Sequence, residues 1–327
     1  MNIYITLDYE LFFGDRSGGV EDCIITPTNE LLKIVDPLKI KLVFFVDVGY
    51  VSKLREYKET FPRLNEDYHK ITSQIKMLSL NGHGIELHIH PHWENSSYNG
   101  EKWIFDTSQY KLQDFSKAEA YSIVTKYASI LESISGKKAV AYRAGGWSAQ
   151  PFYHIKQALK DSGIYLDSTV FPKGYHASNH QEYNFKNVPQ YKTEYKFEDD
   201  LTIPHPDGYF TEYPISSYKI SPFFFWRFAF EKLKKDSKHL AFGNGSAISK
   251  PKKEILKLMS QYSNSVVSID GYKASFLKKA FIKYKENTGN NGNFVIIGHP
   301  KAFTLYSINK TKAFIESVYE EHTFKVF

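Results

Sequence analysis

Cysteine is almost missing from this chain of 327 residues: Cys23 stands alone, so no internal disulfide and no Cys-rich zinc or iron–sulfur site can form. Any metal must sit on histidine and carboxylate ligands. No run of about 18 apolar residues occurs, which excludes a spanning helix at the level of sequence. The opening MNIYITLDYELFF carries acids and lacks the basic and small-residue flanks of a signal peptide, so a non-secreted, cytoplasmic protein is expected. The pieces around Gly243 and Gly245 read G-N-G-S-A-I without a third glycine, no Walker-type G-K-S/T is present, and H-E-x-x-H and G-x-S-x-G are absent, which leaves dinucleotide and phosphate-cradling loops and the common protease and esterase signatures unsupported. Internal repeats and low-complexity tracts are lacking too. Charge of one sign is only mildly in excess: 42 Lys and Arg against 36 Asp and Glu, a net of +6, suits anionic small molecules or membrane surfaces better than sequence-specific nucleic-acid reading.

What is present is an ordinary globular composition, 42% hydrophobic and 24% charged, at a length common for a (β/α) barrel kept as one domain. Short β-branched or aromatic runs alternate with amphipathic stretches, the pattern of a parallel sheet or barrel. Candidate strands are Asn2–Asp8, Lys41–Asp47, Gly84–His90, Ala139–Arg143, Ile164–Ser168, Val266–Ile269 and Phe294–Gly298, each ending near a chemically capable side chain. Candidate helices are Asp67–Leu80, Ser116–Ile134, Gln150–Ser162, Lys252–Gln261, Tyr272–Glu286 and Asn309–Glu320; Ser116 with Glu119 has capping-box spacing. The stretch from about 172 to 221, rich in Tyr, Asn, His and Pro, reads as a long irregular insertion in one domain spanning 1–327.

Five strand ends carry the chemistry. Asp8 and Glu10, at i and i+2 on an extended backbone, face the same way; two carboxylates so close need a cation or water beside them. His88, His90 and His92 share parity in the segment GHGIELHIHPHW, and neutral imidazoles on one face with a carboxylate from Glu10 or Asp8 make a divalent-ion site with an open position. In YRAGGWS, Arg143 can orient a carboxylate while the glycines let backbone approach a ligand. Asp167 and His299 add an acid and a histidine at further strand ends. Trp93 and Trp147, which follow two of these motifs, are candidates to stack on a sugar face. The run Phe223–Phe230 with Lys232, Lys234 and Lys235 reads as a buried helix with a basic end in preference to an interfacial, lipid-touching segment.

Taken in order, these residues resemble the five motifs of the polysaccharide deacetylase family (carbohydrate esterase family 4, NodB-homology). The resemblance implies an α/β fold, a distorted TIM-like (β/α)7 barrel, and one divalent ion, with zinc as first choice. It also implies Asp8 as catalytic base, Glu10, His88 and His92 as metal ligands, Arg143 as the holder of the base, the Gly146 amide as an oxyanion donor, and Asp167 as the acid that positions the proton donor His299. The role of His90 is left open, Gly145 stands where the family has proline, and the fourth motif lacks its tryptophan. The wording around His88 and His299 is similar to a branch associated with surface-polysaccharide biosynthesis, which implies an N-acetylated sugar substrate, nucleotide- or lipid-linked, with no nucleic acid partner and membrane contact not favoured. The alternatives are an allantoinase-like cyclic-amide hydrolase on the same scaffold and a non-catalytic sugar-binding or assembly protein.

Overall fold

A computed structural model describes residues 1–14, 16–178, 181–247 and 252–327. Its centre is a curled sheet whose parallel strands are buried on both faces, which is why they read as near-continuous apolar runs. These are β1 (Asn2–Tyr9), β2 (Val43–Asp47), β3 (Gly84–Ile89), β4 (Ala141–Ala144), β5 (Leu166–Asp167), β6 (Tyr195–Phe197), β7 (Phe210–Glu212), β8 (Asn293–Gly298) and β9 (Thr323–Phe324). The order across the sheet is β6-β7-β5-β4-β3-β2-β1-β8, with β9 also against β1; only the β6–β7 pair is antiparallel. Seven strands therefore run parallel from β7 to β8, the count of a (β/α)7 barrel. The seam is spanned by Ser216, whose N–H donates to Val295 O at 2.9 Å and whose carbonyl accepts from Val267 N–H at 2.7 Å.

Between the strands lie α1 (Thr26–Val35), α2 (Val48–Tyr57), α3 (Pro62–Leu80), α4 (Lys117–Ser135), α5 (Lys156–Asp161), α6 (Pro222–Leu233), α7 (Lys252–Ser260), α8 (Leu277–Thr288) and α9 (Leu305–Val318). The expected capping box opens α4: Ser116 accepts from Glu119 N–H, and Glu119 Oε2 accepts from Ser116 N–H at 2.9 Å. The insertion at 172–221, of which residues 179 and 180 lie outside the described set, supplies β6 and β7 to the sheet and so is less irregular than its composition implies. The expected strand Val266–Ile269 pairs through Val266 with an antiparallel partner at Ser217–Ile220, then crosses to β8 through a parallel bridge at Ser268 and Ile297. Phe223–Phe230 is helical as expected, but among the described residues of α6 only Phe224 is buried. No described helix is long and apolar enough to cross a membrane.

Register decides what meets at the carboxyl ends of the strands. Asp8 pairs across from Phe45 on β2, Asp47 lies opposite His88 on β3, and His88 lies opposite Arg143 on β4. Because β1 sits between β2 and β8, its Asp8 and Glu10 are carried to the centre of that rim with His299, which follows β8.

Candidate active site

Arg143 is fully buried and ties the base of the site together. It donates from NH1 to Asp8 Oδ1 at 2.7 Å, from Nε to Ser168 O at 2.7 Å, and from NH2 to Thr6 Oγ1 and Ser168 Oγ at 2.9 Å each. The guanidinium also lies over the Phe45 ring at 4.1 Å. Burial alone would raise the Asp8 carboxyl, but the Arg143 charge and the nearby histidines prevail and hold it well below the usual carboxylate range. Its other oxygen stands 3.4 Å from His299 Nε2.

One ligand atom each from Glu10, His88 and His90 lies within 4.8 Å of the others, all buried. Glu10 Oε2 is 3.3 Å from His88 Nε2 and 2.7 Å from His90 Nε2; ligands about 2.1 Å from a shared tetrahedral ion would lie roughly 3.4 Å apart. His88 Nδ1 donates to Arg143 O at 2.8 Å, which fixes the tautomer and turns Nε2 inward. His88 Nε2 is buried without a hydrogen-bond partner, as are both ring nitrogens of His92, the condition of atoms left for a cation. The other Glu10 oxygen accepts from Lys301 Nζ at 2.8 Å, and Lys301 also donates to Leu11 O at 2.5 Å. Burial would raise Glu10; Lys301 and the two histidines outweigh it, so the carboxylate is held ionised.

His92 does not join this group, in contrast to the expected H-x-x-x-H ligand pair. Alternation of faces holds only while backbone is extended, and Pro91 opens a 3₁₀ turn over Pro91–Asn95. The His92 ring is thereby turned into an aromatic cluster, stacked on Tyr110 at 5.6 Å and 6° and edge-on to Phe13 at 4.6 Å. His90 takes the place expected of it. Gly145 explains how: a Cβ there would stand 2.5 Å from Ile89 O and 2.6 Å from His90 Nδ1, so a glycine at this position makes room for the His90 ring.

Asp167 is also misplaced by the sequence reading. It accepts from Thr169 N–H at 2.8 Å and lies in register with Glu212 on the neighbouring strand; burial first, and then the paired carboxyl, push Glu212 well above its ordinary value. The acid that holds His299 is Asp270, which accepts from His299 Nδ1 and from its backbone N–H at 2.7 Å each. Burial would lower the imidazole, but Asp270 and Asp8 overcome it and raise its pKa to about 10. Asp270 ends the Val266–Ile269 segment, so the strand-end rule that selected Asp167 selects it equally. Lys301, two residues past His299, was not singled out by the strand-end pattern.

Trp93 is not available for stacking on a sugar. It is fully buried, donates from Nε1 to Asp47 Oδ2 at 2.7 Å, and packs against Tyr50 and Trp103. Trp147 is half-buried, edge-on to Phe171 at 5.2 Å, and holds a left-handed φ of 59° beside Gly146, also at 59°. For a tryptophan that backbone is strained.

A seven-strand parallel barrel whose rim gathers an acid–arginine pair, an acid–histidine pair and a Glu–His–His cluster defines a class of fold and site. Neither known family profiles nor the sequences of curated proteins match this chain. In structure it is similar to a putative polysaccharide deacetylase from Mycobacterium smegmatis, at 17% identity and a TM-score of 0.53, over 99% of this chain and 86% of the other. It is also similar to Puue allantoinase, at 11% identity and a TM-score of 0.51, again over 99% and 86%. At these identities the likeness establishes the fold, the deacetylase-type barrel that the motif resemblance implies.

Proposed function

We propose that the chain is a metal-dependent hydrolase that removes the N-acetyl group from an amino sugar or a polysaccharide intermediate. The observation that carries this reading is the convergence of three elements on one rim: a buried Glu10–His88–His90 cluster, Asp8 held by Arg143, and His299 held by Asp270. The cluster would hold one divalent ion, with zinc the best match to two imidazoles and a carboxylate. When bound, the ion supplies Lewis acidity toward the amide carbonyl and lowers the pKa of water.

The chain's own residues supply the proton transfers. Asp8, kept ionised and aimed by Arg143, leaves Oδ2 as the acceptor of the proton from the attacking water. His299, cationic through Asp270, donates to the amine nitrogen, which leaves only once protonated. The Gly146 amide is the proposed donor to the developing oxyanion and Trp147 the proposed wall for the sugar ring. Opening a cyclic amide needs the same operations, and the fold shared with an allantoinase makes that the second reading.

Elemental analysis of wild type, the His88→Ala, His90→Ala double variant and His92→Ala, purified without chelator, tests the centre. About one ion per chain in wild type and in His92→Ala, with none in the double variant, is expected. Asp8→Asn should keep its metal and lose acetate release from N-acetyl sugars by about 10²–10⁴-fold. Metal retention in the double variant would refute the ligand set, and release of no acetate alongside opening of allantoin would favour the cyclic-amide reading.

A further inference from the structure

Helix α6 carries apolar side chains on two opposite faces. Phe224, Phe225 and Phe228 line a pocket of about 450 Å³ whose far wall includes Phe12, Asp270 and Tyr272. On the other face Phe223, Trp226, Phe230 and Leu233, spaced i, i+3, i+7 and i+10, form one stripe, with exposures of 68, 57, 59 and 78%. A helix apolar all round is ordinarily buried; this one is not. Helix α7 continues the surface with Ile255 and Leu256 exposed and no described residue buried. Of the large hydrophobic side chains exposed among the described residues, 9 of 20 fall between 222 and 262, far more than scattered surface apolars require.

Charge identifies the occupant. Residues 222–260 hold nine Lys and Arg against three Asp and Glu, a net of +6, which equals the formal net charge of the whole chain; the remaining sequence balances at 33 against 33. An apolar stripe in a stretch of net positive charge matches an anionic bilayer, where aromatics enter the headgroup boundary and basic residues add attraction. The pocket behind this face touches the catalytic rim: Asp270 both lines it and holds His299, and Phe12 both lines it and lies under the Lys301 ammonium at 5.1 Å.

We propose that the chain docks on an anionic lipid surface through α6 and α7, with the pocket behind α6 receiving the hydrocarbon chain of a membrane-borne amino sugar; the second half rests on the deacetylase reading, the first does not. In flotation, the full chain should rise with vesicles of phosphatidylglycerol and phosphatidylcholine, much less with phosphatidylcholine alone, and less at high salt. The triple variant Phe223→Ser, Phe230→Ser, Leu233→Ser should lose at least tenfold in partitioning while far-UV circular dichroism and metal content stay at wild-type values. Wild type that stays with the soluble fraction, or a triple variant that floats equally well, overturns the docking surface. A wild-type chain that is dimeric by light scattering, does not float, and becomes monomeric in the triple variant would assign the stripe to a second copy instead. For the pocket, dodecyl and methyl N-acetylglucosaminides are compared: at least tenfold higher kcat/KM for the dodecyl compound, abolished by Phe228→Ser, is expected. Equal rates overturn the pocket assignment, whereas acetate release from neither refutes the deacetylase reading and leaves flotation to decide docking.

Discussion

At the scale of single residues, the site turns on small geometric rules with large chemical effect. Asp8 and Glu10, two apart on a strand, were bound to face one space, and they do; His88 and His90 obey the same rule, whereas His92 falls beyond Pro91, where the rule lapses. Sequence spacing shows parity but not where extended backbone ends, so the Glu–His–His cluster was legible to within one histidine. Asp270 was hidden for a related reason: two acids follow candidate strands, and only the bridge that sets residues 267–269 beside β8 selects between them. This yields a discriminating pair of variants. Asp270→Asn should lower kcat by about 10²-fold or more with metal content unchanged, because His299 loses its orienting charge, while Asp167→Asn should leave kcat within a few-fold; steady-state kinetics with elemental analysis decides, and the reverse order would restore Asp167 to the role. Gly145→Ala should weaken metal binding by about 10–100-fold, since its Cβ would meet Ile89 O and His90 Nδ1 inside contact distance; an unchanged metal dissociation constant in a chelator competition would show that His90 is not a ligand.

At the scale of elements, strands were easier to read than helices. The strands β1 and β8 are largely apolar runs with clear ends, but α1 and α2 were missed: α1 opens with Pro27 and two threonines, and α2 begins directly at the end of β2 with Val48 and Gly49. Gly49 is kept small by Trp93, whose ring would lie 2.8 Å from a Cβ there. The turn from α3 into β3 places His83 where Leu42 N–H donates to its Nδ1 at 3.0 Å. Burial, aided by Lys41, lowers this imidazole to about 4. The unfolded chain, with an ordinary value near 6.5, therefore binds more protons than the folded one between about pH 4 and 6.5, so the stabilising effect is complete above that window and lost as pH falls through it. Urea midpoints at pH 7 and pH 4.5 should fall further for wild type than for His83→Asn, which keeps an acceptor for Leu42; the difference should not exceed about 3 kcal/mol. Equal losses would mean that His83 binds its proton as readily in the folded chain as in the unfolded one.

At the scale of the whole molecule, the rim is costly to the fold without a cation. Asp8, Glu10, Arg143, His88 and His90 are all buried, and His88 Nε2 has no hydrogen-bond partner, such an atom costing about 1–3 kcal/mol relative to one that is satisfied. A divalent ion held by Glu10, His88 and His90 would satisfy such atoms and would stabilise the folded chain by mass action, by about 2.7 kcal/mol at a free concentration one hundred times the dissociation constant. For a chain of this size that corresponds to a rise in Tm of several degrees. Thermal unfolding of the metal-loaded chain, of the same chain after chelation, and of chelated chain reloaded with zinc should give a high, a low and a restored midpoint. The His88→Ala, His90→Ala variant should show one midpoint under all three conditions, and His92→Ala should behave as wild type with a uniformly lower Tm, because its ring is a packing element between Tyr110 and Phe13. A wild-type midpoint indifferent to metal would place the ion elsewhere or nowhere, and would leave Lys301 as the standing counter-charge of a buried Glu10.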